Sequence, residues 1–324
     1  MMVDACHLWL AMRKVKYMAD NVTARGKKRL LKPFYNAGYI KAWLYLAPAL
    51  LFLILFTYYP MVQVLWDSFF LKEYGAEKKL FVAFDNYRRL FADEDFITAV
   101  KNNIIYAIGT VIPSIVIGFG FALSLTQSSR FKNCIRSLLF FPTLVPLVAA
   151  AALWIFIYFP GIGLLDYYLA KLGIQSTDWL GDPDIALYSL MILTIWKNAG
   201  FYMLFFIAGL QGIGEEYYEA ASLEGAGWWQ KLRYVTLPLL APTSAFVFVI
   251  ALIHVFTHVD HVIVMTLGGP MGSTNLVLYY IYQNAHEFND LAKATTATVL
   301  SVMVLLAISF FSIRTMERGI HYES

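Results

Sequence analysis

Apolar residues gather into six long runs along the chain, at residues 42–65, 103–125, 138–159, 187–213, 240–264 and 294–311. An α-helix needs about 20 consecutive apolar residues to cross the hydrocarbon of a bilayer. The pattern therefore predicts six membrane-spanning helices. Pro48 and Pro60 predict kinks in the first run, and Pro142 and Pro146 fall inside the third. Residues 67–99 mix charges with aromatics and read as a loop. Between the fourth and fifth runs the chain turns polar. There Glu215, Glu216 and Glu219 suit the positive end of a helix, and Ala220 and Ala221 favour helix. Gly225 and Gly227 then break it. A second helical piece follows through Trp228, Trp229, Leu232 and Val235, and Pro238 and Pro242 mark the start of the fifth run. Small residues at such a bend let another surface come close, which is the property of a docking element.

Composition agrees with the pattern. Of 324 residues, 59% are hydrophobic and 15% charged, a balance that belongs to a multi-span membrane protein and not to a soluble globule. No loop is long enough to bury a core of its own, so a soluble second domain is not expected. The first run lacks a clean small-residue cleavage site and reads as a signal anchor; Met12 and Met18 are alternative starts.

The net charge of +3 says little as a total, but its distribution orients the runs. Residues 1–41 are rich in Lys and Arg against only Asp4 and Asp20. Arg130, Lys132 and Arg136 share a loop without acids, and Arg314 and Arg318 close the chain. By the positive-inside rule these segments are cytoplasmic. The loop with Asp166, Asp178, Asp182 and Asp184 against Lys171 is external. Both termini and the 215–238 loop are thereby expected on the cytoplasmic side. The expected organisation is a basic tail at 1–41, an all-α transmembrane domain at 42–313 and a cytoplasmic tail at 314–324. Cys6 and Cys134 fall in cytoplasmic segments, so no disulfide is expected. Membrane lipid is an expected partner and nucleic acid is not.

Glu219-Ala220-Ala221, followed by Gly225 and then by Leu237-Pro238, resembles the EAA loop of binding-protein-dependent ABC importer permeases. Glu224 stands where that family usually has aspartate, a change that keeps the charge. The resemblance implies a coupling helix seated in a groove of a separate cytoplasmic ATPase, with Glu219, Ala220, Ala221, Gly225, Leu237 and Pro238 carrying the coupling. It extends over about residues 40–320. Within the family the chain is most similar to sugar and glycerol-3-phosphate permeases, through residues 151–156, Pro160-Gly161, Trp196-Lys197 and Tyr279-Tyr280-Ile281-Tyr282. It further implies a place in the bacterial inner membrane and four kinds of neighbour: lipid, a second permease subunit (usually a different chain), two ATPase subunits and an extracytoplasmic solute-binding protein. No GxxxxGK[ST] sequence occurs, so ATP is expected on the partner ATPase, with no cofactor and no catalysis on this chain.

Two polar clusters fall within the apolar runs. Lys197 and Asn198 interrupt the fourth, where an ionisable residue costs about 2.5–3.5 kcal/mol on insertion scales and faces a cavity or a partner. One reading makes them the lining of a solute path, with Lys197 suited to a phosphorylated or polyhydroxylated solute. The other makes Lys197 a lysine that snorkels to the interface or pairs with an acid. His254, His258 and His261 follow i, i+4, i+7 spacing in the fifth run, and His254 and His258 are further candidates for the path. A metal centre is not expected, since Asp260 projects about 100° from His261 on a helix and no HExxH is present. Leu267-Gly268-Gly269-Pro270 is a turn signal, which the resemblance places against the solute-binding protein. Two alternatives stand beside the importer. An ion-coupled secondary transporter needs intramembrane acids, which the runs lack apart from Asp260. A multi-span membrane enzyme would use the histidines. Neither accounts for the Glu219 loop.

Overall fold

The computed structural model describes residues 37–71 and 79–319. Cys6 and most of the basic tail, together with residues 320–324, lie outside the described residues. The chain divides into two units, 1–63 and 64–324.

In the first unit, α1 (Ala37–Leu53) passes through a π-helical turn (Ile54–Tyr58) into α2 (Tyr59–Asp67). Trp43, Leu46, Leu55 and Val62 are all exposed, and a helix apolar all round is solvated by lipid. The π turn lies directly before Pro60. A proline ring clashes with the carbonyl four residues back and offers no N–H. The wider turn, closed by the Tyr59 N–H on the Ile54 carbonyl, accommodates both defects. The kink expected at Pro60 is thus a bulge.

The second unit opens with a two-stranded antiparallel ribbon, β1 (Phe70–Leu71) and β2 (Leu80–Phe81), and α3 (Asp85–Phe91). The 67–99 segment is therefore partly ordered rather than simple loop. Buried Asn86 donates to the carbonyls of Ser68 (2.8 Å) and Phe70 (3.0 Å), which pins the ribbon to α3. Next come α4 (Glu94–Leu125), α5 (Arg130–Leu144), α6 (Leu147–Ile157), α7 (Leu164–Lys171) and α8 (Ala186–Gln211). They are followed by α9 (Glu215–Leu223), α10 (Trp228–Lys231), a second π turn (Leu232–Thr236) and α11 (Leu237–Leu239). The chain ends with α12 (Ala241–Thr257), α13 (Asp260–Met265), α14 (Val277–His286) and α15 (Leu291–Gly319). Among the described residues the fold is helical apart from the ribbon.

Among the described residues four uninterrupted helical stretches are long and apolar enough to cross a membrane, Lys41–Asp67, Glu94–Leu125, Ala186–Gln211 and Leu291–Ser312. Two bent pairs bring the number to six if each is one span: α5 with α6, bent by 100°, and the α10–α11 stretch with α12, bent by 66°. The third span, expected at 138–159 with Pro142 and Pro146 inside it, is such a bent pair. Pro146 forces the residue before it out of helix, and Val145 is extended at φ −73, ψ 128. The fifth span is also shorter than expected, because α12 stops where His258 turns extended at φ −104, ψ 116.

α4 shows how the bundle is held. Asn102, Tyr106, Thr110, Ser114, Gly118 and Ala122, spaced by four, are buried. Ile104, Ile108, Ile112 and Val116 on the other side are exposed. Polar and small groups point inward and bulky apolar ones outward, as expected where lipid removes the hydrophobic drive between helices and close packing and hydrogen bonds replace it. α8 is the central helix, with α4 along it. A Cβ on Gly118 would lie 2.8 Å from the Ala199 carbonyl oxygen, and one on Gly200 only 1.9 Å from that of Leu139. α8 can meet both neighbours this closely only through such small residues.

Two carboxylates organise the polar segments. Asp93 caps α4 through the N–H groups of Asp95 (3.0 Å) and Phe96 (3.2 Å). It also accepts from Lys293 at the start of α15 (2.5 Å) and from the Tyr280 hydroxyl (3.2 Å). Burial works to raise its pKa, but the Lys293 ammonium and the Phe96 N–H outweigh it and hold the carboxyl below its ordinary value. Buried Asp166 gathers the segment between α6 and α8, accepting from the Gly161 N–H (2.7 Å), the Ser176 hydroxyl and the Trp179 indole (2.7 Å). These donors, Gly161 first, lower its pKa. A lowered folded-state value means the contribution is complete above the unfolded pKa, about 3.9, and is lost as pH falls through the folded one. Asp166→Asn should therefore speed tryptic cleavage at Lys171 at neutral pH. In the wild type, pepsin should open this segment only below about pH 4; equal tryptic rates in variant and wild type would remove Asp166 as organiser.

Candidate functional site

α9 and α10 form a bent pair that projects from the bundle between α8 and α12. α9 ends in a Schellman motif: the Ala226 N–H bonds the Ala221 carbonyl (2.9 Å) and the Gly225 N–H that of Ser222 (3.0 Å). The motif requires a left-handed residue, and Gly225 supplies it at φ +81, with nothing within 4 Å of the place a Cβ would take. The Gln230 side chain then accepts from the Gly227 N–H (2.7 Å) and starts α10. Lys231 reaches the Ser222 hydroxyl (2.6 Å) and Tyr218 that of Thr236 (3.2 Å), which brace the two arms.

Glu219, Ala220, Gly225, Leu237 and Pro238 are exposed, and Ala221 is half-buried. Glu219 makes no hydrogen bond or ion pair with a described residue, so the loop is closed by its backbone and not by this carboxylate. Around it stand Tyr217, Leu223, Trp228 and Trp229, all exposed, Leu223 at 90%. Leu237 and Pro238 lie just past the π turn, whose Leu237 N–H bonds the Leu232 carbonyl. It is the same answer to a proline as at Pro60.

The structure distributes the expected polar residues over α8, α12 and α13. Lys197 does not open into a cavity as a free cation: its Nζ donates to the carbonyls of Pro142 (3.1 Å), Thr143 (3.4 Å) and Val145 (2.5 Å) at the α5–α6 break. These bonds cap a broken helix, a use that none of the expected readings of Lys197 included. Asn198 is buried in α8. The histidine stripe is split by the end of α12. His254 and His258 stack at 4.8 Å between ring centroids, and His254 Nδ1 lies 3.4 Å from the Tyr202 hydroxyl. His261 sits on α13, fully buried, with Nε2 2.8 Å from the Tyr106 hydroxyl, itself 2.5 Å from that of Thr194. Among the described residues no three of His, Cys, Asp and Glu converge as ligands would. A separate apolar cleft of about 640 Å³ is lined by Phe121, Leu139, Phe141, Pro142, Trp154 and Trp196, with the two indoles edge-on at 5.6 Å. Trp196, inside the α8 span, has its place there.

A helical bundle inverted toward lipid, with broken spans and a projecting helix pair, is the architecture of a transport permease. The sequence profile of the binding-protein-dependent transport system inner membrane components matches residues 96–322, and the chain belongs to that family. A probable ABC transporter permease of Pyrococcus horikoshii is 31% identical over 82% of this chain and 92% of its own. The sn-glycerol-3-phosphate transport system permease UgpA of Agrobacterium fabrum is 28% identical over 87% of this chain and 97% of its own. A bacterial ABC transporter that imports the acidic polysaccharide alginate has the same fold, with a TM-score of 0.76 at 24% identity, covering 90% of this chain and 99% of its own. The chain is a multi-pass inner-membrane permease of an ABC importer, with a role in transport rather than catalysis. The ion-coupled and enzymic alternatives find no support.

Proposed function

We propose that the chain forms half of the path for a sugar or a glycerol-3-phosphate-like solute, and that two ATPase subunits drive it through the 215–238 loop on the cytoplasmic side. A second permease subunit completes the path, an extracytoplasmic binding protein delivers the solute, and ATP is bound by the ATPase alone. The observation that carries the coupling role is the self-supporting α9–α10 bend, on which Glu219, Leu223, Trp228 and Trp229 are exposed. Glu219, Ala220 and Ala221 offer the contact face, Gly225 sets the bend, and Leu237-Pro238 with the π turn forms the joint to α12. The solute class is supported by the relatives named for sn-glycerol-3-phosphate and by the alginate importer. Asn198, His254 and His258 are the polar groups proposed for the path. A ligand shifts a two-state equilibrium only by its differential affinity for the states, so the ATPase must hold this loop differently when nucleotide is bound.

The test is disulfide trapping. Ala220→Cys, in a chain with Cys6→Ser and Cys134→Ser, should cross-link to a cysteine in the ATPase groove, with a yield that changes when ATP is added. Labelling of that introduced thiol by a membrane-impermeant reagent from outside intact cells would sink the reading.

A further inference from the structure

α8 runs unbroken from Ala186 to Gln211 and is joined to α9 only by Gly212, Ile213 and Gly214. Lys197 lies fourteen residues before Gln211, about 21 Å along the helix at 1.5 Å per residue. At that level α8 is gripped by the end of α5. The Lys197 ammonium donates to three carbonyls there, and the Thr143 hydroxyl donates back to the Lys197 carbonyl (3.1 Å). Nearby, glycine at position 200 lets the Leu139 carbonyl come into the space a Cβ would fill. Of the carbonyls that Lys197 takes, those of Thr143 and Val145 accept no backbone N–H among the described residues, while that of Pro142 also accepts from the Val145 N–H (3.3 Å). α5 ends at Leu144, the chain turns by 100°, and Pro146 has no N–H to offer. An ammonium at a helix C-terminus meets both the unpaired acceptors and the negative end of the helix dipole. Packing needs only the glycine; the reciprocal bonds fix the height of α8 against the break.

We propose that Lys197 is a positioning residue, which with Thr143 latches α8 to the break in the third span so that movement of the α9–α10 loop is passed to that break. The proposal rests on the coupling role proposed for the loop. It also assigns the Lys197 charge to the protein's own backbone, so that the charge does not select the solute.

The test uses the complete complex, with its ATPase, second permease and binding protein, in liposomes where uptake and ATP hydrolysis are measured together. Lys197→Met keeps the stem and removes the donors. Uptake per ATP is expected to fall about tenfold, the scale of one lost charge-assisted hydrogen bond, with the KM for solute unchanged. Lys197→Arg should recover most of the loss. Thr143→Val, nearly isosteric, should lower uptake per ATP about threefold, the scale of a neutral hydrogen bond, and it reads the latch even where Lys197→Met fails to assemble. A raised KM with unchanged maximal uptake would place Lys197 on the solute and overturn the proposal. So would unchanged uptake per ATP in the variants that assemble, or a proportional fall of uptake and hydrolysis. Failure of the loop reading is told apart by the Ala220→Cys cross-link to the ATPase groove, which would then not form or would not change with ATP.

Discussion

Gly225→Val lowers uptake by an order of magnitude or more while the permease still inserts, and Gly225→Asn restores a large part of it. The expectation follows from one dihedral angle. Gly225 stands at φ +81, where a non-glycine residue costs about 1–2 kcal/mol and a β-branched one is a stronger outlier. At 1.4 kcal/mol per factor of ten, that depletes the native bend by roughly 5- to 30-fold. The space around the position is open, so nothing in the folded bundle is disturbed and membrane levels should match wild type. Asparagine tolerates the left-handed region better than other side chains. Its partial rescue would assign the defect to backbone geometry. If asparagine is as inactive as valine, bulk at the docking surface is responsible instead. Normal uptake by the valine variant, normalised to protein in the membrane, would remove the loop from the mechanism.

Gly200→Leu prevents accumulation of the permease. Overpacking a core commonly costs about 1–3 kcal/mol where neighbours can shift. Here the atoms met first are the Leu139 carbonyl oxygen at 1.9 Å and carbon at 2.6 Å, both backbone. Relief would require moving α5 away from α8, which would also pull the Pro142–Val145 carbonyls off Lys197. Gly120→Ala is the matched control, with nothing within 4 Å of its Cβ position, and should accumulate normally with slightly higher stability, by up to about 1 kcal/mol. The check is the amount of folded permease in membranes and its unfolding temperature in detergent. A Gly200→Leu protein with wild-type yield and melting would mean that the helix contact is not needed.

Much of this was legible along the chain. The six apolar runs correspond to the four uninterrupted spans and the two bent pairs, because hydrophobic length reports on the bilayer and not on neighbours. The helix from Glu215 and its end at Gly225 were also readable, since acidic first turns and a left-handed glycine are local devices. The burial pattern of α4 had a signal too: Asn102, Tyr106, Thr110, Ser114, Gly118 and Ala122 recur every four residues, a polar and small stripe that marks a packed face in lipid. Other features had none. The early start of α4 depends on Asp93 acting as a cap, and a hydropathy count discards such a polar first turn. The histidine spacing fitted one continuous helix, and that helix ends before His258.

What the sequence by itself determined is whatever depends on neighbours a few residues away or on the solvent: spans, bends, caps and the projecting loop. Tertiary structure alone decided the use of Lys197. A charge at membrane depth must find acceptors, but the sequence does not say whether they come from a solute, an acid or a backbone. The answer lies more than fifty residues earlier, at a break whose prolines are visible in the chain and whose carbonyls meet the ammonium only once α5 and α8 have packed. The placing of His261 on a different helix from His254 was decided in the same way, by a change of direction at one residue that spacing cannot register.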